Sequence, residues 1–177
     1  MTSRQNKKTD KDDPFLLAGE KPVAGPFLGL DVGDARVGVA VSDALGMIAR
    51  PLATVERIPR KACLDRFESL IRETGTAGAV VGLPLLEGGG EGSQAENTRA
   101  FIRSLQRRLP GLRITWWDER FTTSQAAQLR EELGERPERG GSSKQRAASS
   151  SRSRRDELAA AFILQEWLDE RARRRAK

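Results

Sequence analysis

Four acidic residues stand where predicted elements end or begin: Asp31 closing a first apolar strand, Asp118 and Glu119 closing a late one, and Asp156 opening the last long helix. Carboxylates so placed can converge on one metal site. Little else in the chain can do strong chemistry at neutral pH, because it has no His and no Tyr, and its single Cys63 lies in an ordinary amphipathic stretch. Acid-base work falls to carboxylates, to Lys, or to water activated by a metal. Three carboxylates within about 4 Å of one another repel by about 4 kcal/mol per pair at an intermediate dielectric, so they need cations between them. Oxygen-only ligands suit Mg²⁺ or Mn²⁺, and two such ions can activate water and stabilise the leaving oxygen of a phosphodiester.

Each acid also has a plainer reading. Asp31 fits a hairpin turn, where Asp and Gly are favoured for their own reasons. The run Asp118-Glu119-Arg120 fits a surface salt bridge ahead of a helix cap. Asp156 gains about 0.3 to 1 kcal/mol merely by sitting at a helix N-terminus. The longer patterns are more specific. In GLDVGDARVGVAVSD, the spacing of Gly29, Gly33 and Gly38 brackets a carboxylate inside two strands, at a sheet edge where glycine lets a phosphate or ion approach. In RDELAAAFILQEWLD, Asp156, Ala160, Ile163, Leu164 and Trp167 fall on one helical face, so the acid begins the core-facing stripe. Small residues at 159 to 161 let that helix press close to the sheet and bring Asp156 toward the strand ends. In RITWWDERFTT, alternation puts Ile114, Trp116 and Asp118 on one face and Thr115, Trp117 and Glu119 on the other. Parity alone leaves open which acid points into the site. Arg120 can pair with either acid or with a phosphate.

The elements that must carry these residues follow from periodicity. Residues 1–26 are polar and punctuated by Pro and Gly, and predict a disordered arm. FLGLDVG and RVGVAVSD read as strands joined at Gly33-Asp34-Ala35, and Met47 to Val55 supplies a third, giving an antiparallel meander. Residues 60–74 place Leu64, Phe67, Leu70 and Ile71 on one helical stripe before a Gly75 stop. AGAVVGLP reads as a central strand covered on both faces. A Gly-rich loop, a helix over 94–109, a strand over Leu112 to Trp117 and a helix over Thr122 to Leu133 come next. The Ser/Arg-rich stretch of about 135–155 predicts a flexible loop, followed by a helix from Asp156 to Arg171 and a basic tail over 172–177. The fold class is therefore α/β: a mixed five-stranded sheet, first antiparallel and then parallel, with helices on both faces and one domain over 27–171.

Charge points to the partner. Lys plus Arg against Asp plus Glu number five against four over 1–26, fourteen against fifteen over 27–135, and twelve against six over 136–177. The surplus of +6 lies in the last quarter, which suits a polyanion as well as it suits a solubilising tail. One Cys excludes an intramolecular disulfide framework, no apolar run approaches the roughly 20 residues that span a bilayer, and the first residues lack a secretory apolar core. A reducing cytoplasm, with no membrane partner, is the expected setting.

With these motifs in order, the sequence resembles the YqgF/RuvX family, which is related to RuvC-type Holliday junction resolvases within the RNase H-like superfamily. The likeness rests on GLDVGDARVGVAVSD, on VVGLPL followed by a Gly-containing loop and QAENTRAF, on DERFTT and on DELAAAFILQ, and covers about residues 27 to 170. It implies an RNase H-like fold and a metal-dependent endonuclease acting in 5′-end maturation of precursor 16S rRNA. It implies Asp31, Glu119 and Asp156 as the acidic set, with Asp118 as a substitute or supporting ligand. On that reading two Mg²⁺ or Mn²⁺ ions bind there, and Arg36, Arg120, Lys144, Arg146 and Arg152 engage phosphates of RNA. The partner is precursor rRNA, alone or in a ribosomal particle, and the protein is a monomer or weak homodimer. Branched DNA is the alternative substrate, and a noncatalytic RNA- or ribosome-associated factor the alternative class. The Asp-x-Gly hairpin also resembles actin-like ATPases, but those need two such domains and this chain has room for one. One departure stands out: where the family has an Asn-Met-Asp-Gly-like loop, this chain has Leu86-Glu87-Gly88-Gly89-Gly90, losing an amide and an acid.

Overall fold

A computed structural model describes residues 25–76, 78–86, 90–118 and 144–176. Three strands open the domain: β1 (Phe27–Val32), β2 (Arg36–Ser42) and β3 (Ala49–Glu56). Helix α1 (Arg60–Thr74), β4 (Gly78–Leu83), α2 (Ser93–Arg108), β5 (Ile114–Asp118) and α3 (Lys144–Arg175) follow. The strands form one sheet in the order β3-β2-β1-β4-β5. β2 pairs antiparallel with both β1 and β3, whereas β4 pairs parallel with β1 and β5. This is the antiparallel meander followed by parallel strands that the periodicity predicts.

Alternation along the strands sends residues to two cores. Leu28, Leu30 and Val32 of β1, with Val37, Val39 and Val41 of β2, pack with Phe67, Leu70, Ile102 and Leu105 of α1 and α2. Phe27, Ala40 and Val80 face the other way and meet Ala160, Ile163, Leu164 and Trp167 of α3. Each face is thus sealed by helix, which is why β4 can be apolar throughout and fully buried. Phe27 and Trp167 meet edge to face at 5.0 Å, and Arg171, buried, lies with its guanidinium over both rings at 4.6 and 5.1 Å. Truncating a side chain as enclosed as Leu164 would cost about 2 to 5 kcal/mol.

Two expectations need correction. The stretch predicted as a loop up to residue 155 is helical from Lys144, so α3 begins twelve residues before Asp156. It also runs through most of the predicted basic tail, to Arg175. The physical reason is propagation: once the apolar half is held on the sheet, each added residue costs little, and this stretch holds Ala, Arg, Lys and Gln with neither Gly nor Pro after Gly141. Contacts fix it as well, since the Thr54 hydroxyl donates to the Ser153 carbonyl at 2.8 Å and to Glu157 at 3.1 Å. Residues 1–24 of the predicted arm and the helix predicted over 122–133 lie outside the described residues. Among the described residues no helix is long and apolar enough to cross a membrane.

Candidate active site

The direction of Asp31 follows from its neighbours on β1. Leu28, Leu30 and Val32 point to the α1/α2 side, so Phe27, Gly29 and Asp31 share the α3 face. On β2 the same logic leaves Arg36, Gly38 and Ala40 on that face. Asp31 is the register partner of Gly38. The backbone of Asp156 lies directly on Gly38, where a Cβ would overlap the Asp156 carbonyl outright. One turn further along, a Cβ on Gly29 would stand 2.5 Å from the Ala160 carbonyl oxygen and 2.7 Å from the Leu164 Cβ. Two bare positions on the sheet and small residues on the helix therefore let α3 sink onto β1 and β2, which sets Asp156 beside Asp31.

Around this pair the backbone is pinned. Arg57 donates to the carbonyls of Gly33 and Asp34 at 2.7 and 3.1 Å, closing the turn that follows Asp31, and its guanidinium packs on Phe101 at 5.1 Å. The Gly33 N–H bonds to the Arg36 carbonyl at 3.0 Å. Further down α3, the Gln165 side chain accepts from the Ala49 N–H at 2.8 Å and the Trp117 indole donates to Glu166 at 3.2 Å. These bonds hold the helix against both edges of the sheet.

Arg36 completes the described part of the site. Its Nε donates to Asp156 Oδ2 at 2.8 Å, with both side chains about a quarter exposed. The hydrogen bond to Asp156, supported by the charges of Asp156 and Glu56, raises the guanidinium above its ordinary pKa against an opposing desolvation. Arg36, expected among the phosphate contacts, is bonded in the structure to an acid of the predicted metal set.

The remaining predicted residues divide. On β5, Ile114 and Trp116 pack toward the α1/α2 core and Trp117 toward the α3 core, so Asp118 has the parity of the face opposite Asp31. Glu119 and Arg120 lie outside the described residues. Lys144 and Arg146 fall in the first turn of α3, and Arg152 is exposed four residues before Asp156. The loop after β4 closes through a bridge between Leu85 and Glu91, and Glu91 is bonded by Arg99, which also stacks on Trp116 at 4.5 Å. That bond holds the Glu91 carboxyl below its usual range. Among the described residues no three Asp, Glu, His or Cys side chains are grouped to hold a metal. The donors that are present suit a hard cation nonetheless, because Asp31 and Asp156 offer only carboxylate oxygen. A cleft of about 410 Å³ between α1 and α2 and another of about 340 Å³ beside the β2–β3 turn contain neither acid.

Sequence reasoning missed two functional features. The Arg36–Asp156 pair joins residues 120 positions apart, for which no local pattern exists. The contact of Gly38 with Asp156 was signalled in two halves, by a small residue in a strand otherwise rich in Val and by the small residues at 159 to 161, but no local pattern paired the two.

Comparison with known proteins covers the same stretch of the chain. The family model RuvX, described as Holliday junction resolvase, matches residues 25–170. A protein of Roseiflexus sp. (strain RS-1) named "Putative pre-16S rRNA nuclease" is 40% identical over 145 residues, covering 82% of this chain and 94% of that protein. Relatives of the same name from Cereibacter sphaeroides (strain ATCC 17025) and Rhodobacter capsulatus are 40% and 41% identical, covering 89% and 86% of this chain and 89% of each relative. Among solved structures, the Thermus thermophilus RuvC in complex with a Holliday junction substrate aligns at 15% identity with a TM-score of 0.43, covering 78% of this chain and 91% of that one.

Proposed function

Because this chain belongs to the RuvX family, and is with it a phosphodiester hydrolase, we propose that it is a divalent-cation-dependent endonuclease that trims the 5′ end of precursor 16S rRNA. The observation that carries the site is the seating of the Asp156 backbone on Gly38, the register partner of Asp31. It brings two carboxylates from distant parts of the chain to one edge of the sheet.

The third carboxylate in this reading is Glu119 rather than Asp118. Glu119 shares the sequence parity of Thr115 and Trp117, and Trp117 packs on the α3 side where Asp31 and Asp156 stand. Asp118 has the other parity. Asp31, Glu119 and Asp156 would hold one or two Mg²⁺ or Mn²⁺ ions, which when bound polarise a phosphoryl oxygen and acidify water. The protein's own part is to hold the carboxylates in fixed positions, and to align the backbone of the nucleic acid. Alignment falls to Arg120 and to the basic first half of α3, including Lys144, Arg146 and Arg152. A single protomer suffices for cutting one strand of RNA.

Branched DNA is the second substrate reading, favoured by the description of the family model. It requires two sites facing one junction and therefore a dimer. The deciding experiment gives purified protein and its Asp31→Asn variant a precursor rRNA leader, generic single-stranded RNA and a four-way DNA junction, with and without Mg²⁺ or Mn²⁺. Cation-dependent leader cleavage lost in the variant is the expected result. Junction cleavage would move the assignment to DNA, cleavage retained by Asp31→Asn would overturn the site, and binding of RNA without any cleavage would make the protein a noncatalytic factor.

A further inference from the structure

Resting on the metal-site reading above, the geometry points to a role for Arg36 that is not that of a standing phosphate contact: it is the internal counter-cation of Asp156, with which a divalent cation must compete. The 2.8 Å Nε–Oδ2 bond engages one of the two carboxylate oxygens that Asp156 can offer a metal, and sets a fixed positive charge beside the other. Arg36 is moreover held in place by its strand. It opens β2, its register partner is Glu56 on β3, and its carbonyl is tied to Gly33 in the turn after Asp31.

Charge explains why such a residue is present. Two or three carboxylates gathered at one sheet edge repel one another, and a guanidinium among them relieves that repulsion while no metal is bound. With a divalent cation held by Asp156 that repulsion would be relieved more strongly, and Arg36 would lose its hold on the carboxylate. The displaced guanidinium remains on the α3 face at the same sheet edge, where the next anion to arrive is a phosphate of the substrate. Arg36 is thus a positioning residue that keeps Asp156 pointed across Gly38 in the metal-free protein and is free to meet nucleic acid only after the metal has entered.

The test is a Mn²⁺ binding isotherm by calorimetry on the full chain and on its Arg36→Gln, Arg36→Lys and Asp156→Asn variants, together with thermal unfolding with and without Mn²⁺. Competition predicts that Arg36→Gln binds Mn²⁺ about fivefold more tightly, the worth of a partly exposed ion pair. Arg36→Lys, which keeps the charge, should fall between it and the parent. Without metal, Arg36→Gln should melt below the parent, and Mn²⁺ should close the gap. Equal or weaker Mn²⁺ binding by both Arg36 variants, with Asp156→Asn still impaired, would overturn the role of Arg36 and leave the metal site standing. Undiminished Mn²⁺ binding by Asp156→Asn would remove Asp156 from the site and the inference with it.

Discussion

At the scale of single residues, the site depends on which atoms face which side of the sheet. Asp31 and Asp156 share a face, and Asp118 has the parity of the opposite one. That difference separates two neighbours that sequence alone treats alike. Glu119→Gln should reduce cleavage to background, whereas Asp118→Asn should lose no more than the roughly 10- to 100-fold typical of a residue that supports a metal ligand without being one. Single-turnover cleavage of a leader RNA by the two variants measures this, and the reverse order would exchange their roles. Both variants should unfold at urea concentrations close to the parent, because each change replaces a carboxylate by an amide of the same shape.

Among the elements, the packing of α3 on the β1–β2 hairpin governs the site. It is made by absence of side chains, at Gly29 and Gly38, and by Ala159 and Ala160, both buried. Gly38→Ala puts a methyl group into the Asp156 backbone, which has no flexible end to swing aside. The helix must shift or the strand must bend. The expected loss is about 3 kcal/mol of stability, read from urea unfolding, with Mn²⁺ affinity falling in parallel because Asp156 leaves Asp31. A parent-like stability for Gly38→Ala would mean that α3 stands further from the sheet. The extension of α3 back to Lys144 belongs to this scale too: it sets a run of basic residues on the same helix that carries Asp156.

For the whole molecule, the balance of charge bears on how the proposed nucleic-acid substrate would be held. The body from 27 to 135 is nearly neutral, and the excess of basic residues begins beyond it. Arg152 and Arg154 are exposed on the turn of α3 that precedes Asp156, so on the proposed reading a polyanion lying along that helix would be led to the carboxylates. Affinity for single-stranded RNA should fall steeply with salt. Replacing Arg152 and Arg154 by Gln should lower the slope of log K against log salt by about 0.7 for each phosphate that is no longer neutralised, with little dependence on RNA sequence. An unchanged slope would mean that RNA phosphates are held elsewhere on the surface.

The sequence by itself determined the alternation of strands and helices, because apolar residues recur at two or at three to four positions wherever one face is buried. That is enough for the meander, for α1 and α2, for the apolar β4, and for the candidacy of Asp31 and Asp156, each marked by the element it ends or begins. Local pattern could not set the start of α3, since Ser- and Arg-rich segments are helical or not according to what holds their neighbours. Nor could it choose a face for β5, because parity is relative until a core is assigned to one side. Only the tertiary structure decided that Arg36 meets Asp156 and that Gly38 carries it. Those contacts join residues more than a hundred positions apart, and they exist because the two cores fix the height and direction of α3 over the sheet.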